Sequence, residues 1–113
     1  MTTSPAATPG PPVLVPVLAA LGDETRWSIL VALGQGDASA SALARRLPIT
    51  RQAIVKHLAV LHEAGLVESI RVGREVRFRV IGSRLRATAQ RLDAIGLEWE
   101  RRLAVIKEIA EGL

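Results

Sequence analysis

Apolar side chains recur at three- and four-residue intervals over residues 49–66, and the rest of the chain is organised around that stretch. Ile54, Leu58, Leu61 and the small Ala64 and Gly65 fall on one face of a helix. Thr50 can cap its start, because its hydroxyl accepts a hydrogen bond from a backbone N–H one turn later. Gly65 can end it in the left-handed conformation that glycine enters cheaply. The outward face carries Arg51, Gln52, Val55, Lys56 and His62. A helix that is apolar behind, with Arg, Gln and Lys at its N-terminal end in front, suits the major groove of DNA. An amphipathic helix with a merely solvated polar side is the competing reading of this stretch alone.

The flanks change the odds. Residues 13–21 are nearly all apolar and predict a short helix buried on more than one side. Asp23 is placed to cap a second helix over 24–33, with Trp27, Ile29, Leu30 and Leu33 available for the core and Gly34 and Gly36 at its end. Residues 39–47 predict a short third helix, Leu43 and Leu47 inward and Arg45 and Arg46 outward, stopped by Pro48. Two helices joined by a turn of about three residues, the second with a polar face, make a helix-turn-helix. After Gly65 the period falls to two. Val67, Ser69, Arg71 and then Val76, Phe78, Val80 predict strands over 67–72 and 75–80, joined at Gly73-Arg74 as a hairpin. The hairpin carries Arg71, Arg74, Arg77 and Arg79, and a two-stranded ribbon must pack on something to be stable. A helix-turn-helix followed directly by a basic hairpin is a winged helix.

Ser83 is a predicted cap for a long last helix reaching about residue 111. Its apolar positions form two seven-residue series: Leu85, Leu92, Trp99, Ile106, Leu113, and Ala89, Gly96, Leu103, Ala110. Such a helix is roughly 42 Å long, more than so small a domain can cover, so part of the seam should meet a second copy. The expected fold is therefore mainly α with a small β-hairpin, a winged helix-turn-helix in the order α-α-α-α-β-β-α, homodimeric through the first and last helices. Residues 1–12 are expected to be a disordered Pro-rich tail, 13–82 the winged helix-turn-helix, and 83–113 the dimerisation helix of the same compact domain. The expected dimer contacts are Val13, Leu14, Val17 and Leu18 from the first helix, and Leu85, Leu92, Trp99, Leu103 and Ile106 from the last.

Charge supports the same assignment. The net charge of the 113 residues is +4, but residues 26–86 hold eleven basic side chains against four acidic ones, a net of +7. Positive charge concentrated on the middle of the chain is what a phosphate-facing surface needs. With 49% hydrophobic content there is enough apolar material for one small core, and the chain has no cysteine. Disulfides, thiolate metal sites and cysteine nucleophiles are thereby excluded. The longest apolar run, 13–21, is interrupted by Pro16 and too short to span a bilayer. Residues 1–12 lack the basic start of a signal peptide. The expected setting is cytoplasmic, without a membrane partner.

These residues resemble the ArsR/SmtB family of bacterial winged-helix repressors over residues 13–113. The matching stretches are LGDETRWSILVAL (21–33), SALARRLPITRQAIVKHLAVLHEAGLV (41–67) and the wing RVGREVRFRV (71–80). The resemblance implies a homodimeric repressor that binds an imperfect inverted repeat and leaves it when a signal arrives. Many members sense metals through a Cys-x-Cys pair on the helix before the recognition helix. The matching positions here are Ser39 and Ser41, whose hydroxyls are poor ligands for soft metals, and no histidine follows His62. The resemblance therefore implies a branch without the cysteine metal site.

Gln52, Val55 and Lys56 are the expected base-edge contacts, with Arg51 on either a base or a phosphate. Thr50, Arg45, Arg46, Arg71, Arg74 and Arg77 are assigned to phosphates or the wing contact. His57, at the family's histidine position, is expected to bond locally or touch phosphate. No metal or cofactor is expected, and a small-molecule effector stays open. His57 and His62 are five residues apart and share no metal-binding face, neither has a nucleophile near it, and no enzyme is expected. The alternative reading is a winged-helix protein-interaction module in a larger assembly, its Arg-rich wing meeting an acidic protein.

Overall fold

Three side-chain oxygens start three of the helices. Asp23 Oδ2 accepts from the Arg26 backbone N–H at 2.9 Å, Ser39 Oγ from that of Ala42 at 3.1 Å, and Thr50 Oγ1 from that of Ala53 at 3.1 Å. Each satisfies an N–H that has no partner within its own helix. In the computed structural model of the chain, which describes residues 14–112, these caps open α2 (Glu24–Gly34), α3 (Ala40–Arg46) and α4 (Arg51–Glu63), with α1 (Leu14–Leu21) before them. The expected tail, Val13 and Leu113 lie outside the described residues.

Proline and glycine set the stops. Leu47 is extended, with φ −119 and ψ 147, the conformation into which Pro48 pushes the residue before it. Residues 47–50 then link α3 to α4. At the far end of α4, Gly65 takes φ +79. Its N–H bonds to the His62 carbonyl and the Leu66 N–H to the Leu61 carbonyl, both at 3.0 Å, the paired bonds of a Schellman stop. A Cβ on Gly65 would find ordinary van der Waals room, its nearest neighbour being the Arg84 guanidinium at 3.6 Å. The backbone angle alone should make Gly65→Ala costly, by roughly 1–2 kcal/mol. Urea or thermal unfolding would register that loss, and an unchanged midpoint would refute it.

The sheet differs from the expected hairpin. The strands β1 (Ala38–Ser39), β2 (Val67–Val72) and β3 (Glu75–Val80) form an antiparallel sheet in the order β1-β3-β2. The added strand pairs Ala38 with Phe78 and Ser39 with Arg77. Two residues are too short to show a period, which is why the sequence pattern gives no sign of β1. It pairs the second edge of β3, ties the wing to the start of α3, and leads straight into the Ser39 cap.

The core joins Val17, Ile29, Leu43, Ile54, Leu58, Leu61, Leu66 and Val67, each under 2% exposed. Two expectations are corrected here. Trp27, expected in the core, is 54% exposed on the outer side of α2. Val17, expected at the dimer surface, is 1% exposed inside the protein's own core, because α1 is short and packs on α2. A third correction is one residue long. The last helix, α5 (Gly82–Gly112), opens before the expected cap Ser83, with the Ile81 carbonyl accepting from Arg84 and Leu85. Thr88 is its last buried residue, and every residue from 89 to 112 is exposed. The radius of gyration is 19.1 Å, against about 13 Å for a compact chain of this size. The last helix therefore projects from the domain. No helix of the described residues is long and apolar enough to cross a membrane.

Candidate nucleic-acid interface

Burial of Ile54, Leu58 and Leu61 fixes the rotation of α4 about its axis, and rotation decides which side chains face out. Arg51, Gln52, Val55 and Lys56 are all exposed, so the expected reading face is presented to solvent at the N-terminal half of the helix. Thr50, the N-cap, is exposed beside them, and Arg45 and Arg46 lie exposed at the end of α3. Arg46 Nη2 reaches Gln35 Oε1 at 3.3 Å and Arg51 Nε reaches Ser41 Oγ at 3.0 Å. Both partners are neutral, so neither cation is cancelled.

The wing sorts its arginines by face. The β2–β3 register puts Val67, Ser69, Arg71, Val76, Phe78 and Val80 on one side and Glu68, Ile70, Glu75, Arg77 and Arg79 on the other. Val67 is buried and Phe78 and Val80 pack on the core, so the first side faces the helices. Arg71 extends that side towards the tip, and Arg74 sits in the turn where Gly73 takes φ +65. On the outer side, Arg77 Nε donates to Glu75 Oε1 at 2.7 Å and Arg79 Nη2 to Asp37 Oδ2 at 3.0 Å. Among the described residues no acid pairs with Arg45, Lys56, Arg71 or Arg74. The structure thus separates the expected wing cations: Arg71 and Arg74 keep their charge uncompensated, whereas Arg77 is held by a carboxylate two residues away.

Helix and wing share a cleft of ≈ 380 Å³, whose lining includes Ser41, Arg51, Val55, Arg74, Val76 and Phe78. An apolar floor with two guanidiniums at its rim can take a base edge with its phosphates alongside.

His57 lies away from this cleft. Its Nδ1 is 3.4 Å from Arg26 Nη1 and 3.9 Å from Asp23 Oδ2. Because a guanidinium only donates, Nδ1 accepts and the ring proton belongs on Nε2. Arg26 also donates to the Ala20 carbonyl at 2.8 Å and the Ala19 carbonyl at 3.3 Å. One side chain thereby joins the end of α1 to α4. The Arg26 backbone N–H holds the Asp23 carboxyl below the ordinary carboxylate range, with the Arg26 guanidinium acting the same way. Of the two alternatives for His57, the local bond is the one the structure contains. Neither Arg26 nor Ser41 stands out in sequence, since their partners are 31 and 10 residues away and no periodicity connects them.

A capped helix with an exposed polar face, a short basic helix before it and an Arg-bearing wing after it define the winged helix-turn-helix class of transcription regulators. A helix-turn-helix domain model matches residues 21–70. The chain is 61% identical to an ArsR-like transcriptional regulator from Rhodococcus sp. RHA1, whose structure it matches over 86% of this chain and 92% of that one with a TM-score of 0.83. The chain belongs to the ArsR family of transcriptional regulators. It is also 42% identical over 66 residues to the HTH-type transcriptional regulator CmtR of Mycobacterium tuberculosis. That match covers 58% of this chain and 56% of CmtR, little more than half the relative's length. The NMR structure of CmtR, described as a cadmium metal-sensor, aligns with a TM-score of 0.56 at 40% identity over 60% of this chain and 70% of that one. Mb0332 of Mycobacterium bovis, described as a homodimeric winged helix-turn-helix DNA-binding domain, aligns with a TM-score of 0.59 at 26% identity over 78% and 79% of the two chains.

Proposed function

We propose that this protein is a dimeric, sequence-specific DNA-binding repressor. It reads an inverted-repeat operator with α4 in the major groove and the tip of the wing on the adjacent phosphates or minor groove. The observation that carries this reading is the exposed Arg51-Gln52-Val55-Lys56 face on a helix whose opposite side is locked into the core. Arg71 and Arg74 lie uncompensated on the wing beside it, and such cations suit phosphate contact. Dimerisation is supported by the exposed apolar side chains of α5, among them Leu92, Trp99, Leu103 and Ile106, and by the homodimer described for Mb0332. The signal that releases the operator is one other than a thiolate-bound metal: the chain has no cysteine, and soft metals select thiolates. The cadmium sensing described for CmtR is therefore not carried over to this chain.

Selection of bound duplexes from a random library tests the function, the symmetry of the site and its sequence together. Affinity should fall steeply with salt as counterions are released. Gln52→Ala should lose about ten- to hundredfold discrimination at one base pair, the span of a good bidentate contact, while binding to random DNA holds. If no duplex is retained better than random DNA at moderate salt, the reading is wrong.

A further inference from the structure

We propose that Ser41 is a positioning residue that aims Arg51 end-on at a guanine in each half-site; this rests on the DNA-binding reading above. A guanidinium carries five N–H donors in a rigid plane, and it can meet guanine O6 and N7 either through Nε with one Nη or through both Nη atoms. In this protein the Arg51 Nε–H is taken by Ser41 Oγ at 3.0 Å. Only the Nη1–Nη2 edge remains, and in a planar guanidinium it points away from the Nε–H and so away from Ser41.

The support beneath that bond is rigid. Ser41 is the second residue of α3, whose start is fixed by the Ser39 cap and by β1 pairing to β3. Arg51 is the first residue of α4, and N-terminal residues of a recognition helix are the ones that meet base edges. Glu75 lines the same cleft, but its carboxylate is engaged by Arg77 at 2.7 Å, so no acid claims the free edge of Arg51. Val55, one turn further along α4, lines the cleft beside it and suits a thymine methyl.

Orientation is the distinguishing point. A phosphate contact draws its strength from charge and released counterions and tolerates a mobile side chain. A base contact needs the fork at a set angle, and a guanidinium already held loses less freedom on docking. Arg45, Lys56, Arg71 and Arg74 have no such tether among the described residues, and Arg46 is held through Nη2 by Gln35 at 3.3 Å, whereas Arg51 is held through Nε.

The test measures the wild type, Arg51→Ala, Ser41→Ala and Ser41→Thr against the library-selected operator, its single-base variants and a random duplex, over a range of salt. Arg51→Ala should lose about ten- to hundredfold discrimination at one G·C pair per half-site. Ser41→Ala should lose about two- to tenfold at that same pair, with random-duplex binding and salt slope unchanged. Ser41→Thr, which keeps the hydroxyl, should restore discrimination. A uniform loss over all sequences with a salt slope lowered by about one in Arg51→Ala would make Arg51 a phosphate contact and overturn the proposal. Wild-type discrimination in Ser41→Ala would overturn it too. If the wild-type protein itself prefers no duplex, the regulator reading falls and takes this one with it; a selective wild type with an indifferent Ser41→Ala removes this one alone.

Discussion

Replacing Leu103 and Ile106 together by Asp is expected to leave the protein monomeric and to weaken operator binding at least a hundredfold. These side chains are 57% and 59% exposed on a helix that projects beyond the domain, in register with Leu92 and Trp99 at 43% and 56%. A helix face so apolar is stable in water only if something covers it, and an isolated helix is marginal on its own. The local interactions of the far half of α5 are weak ones: exposed pairs of Glu98 with Arg102 and of Lys107 with Glu111, and the Arg102 guanidinium 5.7 Å from the centre of the Trp99 ring. Charges in the seam would repel their counterparts across a two-fold axis. Losing the dimer would make the second half-site a separate binding event, and linked binding is worth about 10²- to 10⁴-fold. Sedimentation would report the mass, and titration of the operator the affinity. A double variant that sediments as a dimer would place the interface elsewhere.

Leu58→Ala is the second large expectation, and it acts by a different route. Leu58 is 1% exposed and lies in the core that fixes the rotation of α4. Removing three carbons from such a site costs about 2–5 kcal/mol, the transfer term plus the cavity left behind. For a domain of this size that corresponds to roughly 10–30 °C in thermal midpoint, and a small domain has only about 5–15 kcal/mol in total. Operator affinity measured well below the midpoint should fall less than in the double Asp variant, because no DNA contact and no dimer contact is removed. A midpoint within a few degrees of the wild type would mean that the core closes over the gap. Gln52→Ala provides the opposite pattern, with stability kept and selectivity lost, and the pair separates the scaffold of α4 from its reading face.

Much of α4 was legible because helix period, cap and stop are local properties. Thr50, the Ile54–Leu58–Leu61 spacing and Gly65 each act within one or two turns, so a string of residues carries them. The wing hairpin was legible for the same reason, as Gly73 and the two-residue alternation are neighbours in sequence. Trp27 was misplaced because period alone says that a face is apolar without saying which part of it another element covers. The packed side of α2 runs through Ile29, Leu30 and Leu33, and Trp27 falls outside it. Val17 was misplaced for a related reason. An all-apolar short helix does not declare whether its own domain or a second copy buries it.

The sequence by itself therefore determined the order of the five helices and the two wing strands, the polar outward face of α4 and the surplus of positive charge on the middle of the chain. These follow from backbone propensities, capping chemistry and charge, which need no partner distant in sequence. Tertiary structure decided the rest: that β1 completes the sheet, that Arg77 is tied to Glu75 while Arg71 and Arg74 keep their charge, that His57 bonds to Arg26 behind the helix, and that Ser41 holds Arg51. Each depends on which face of one element meets which face of another. Side-chain hydrogen bonds and ion pairs act only over a few ångströms, so they are settled once packing has brought together residues that the chain keeps apart.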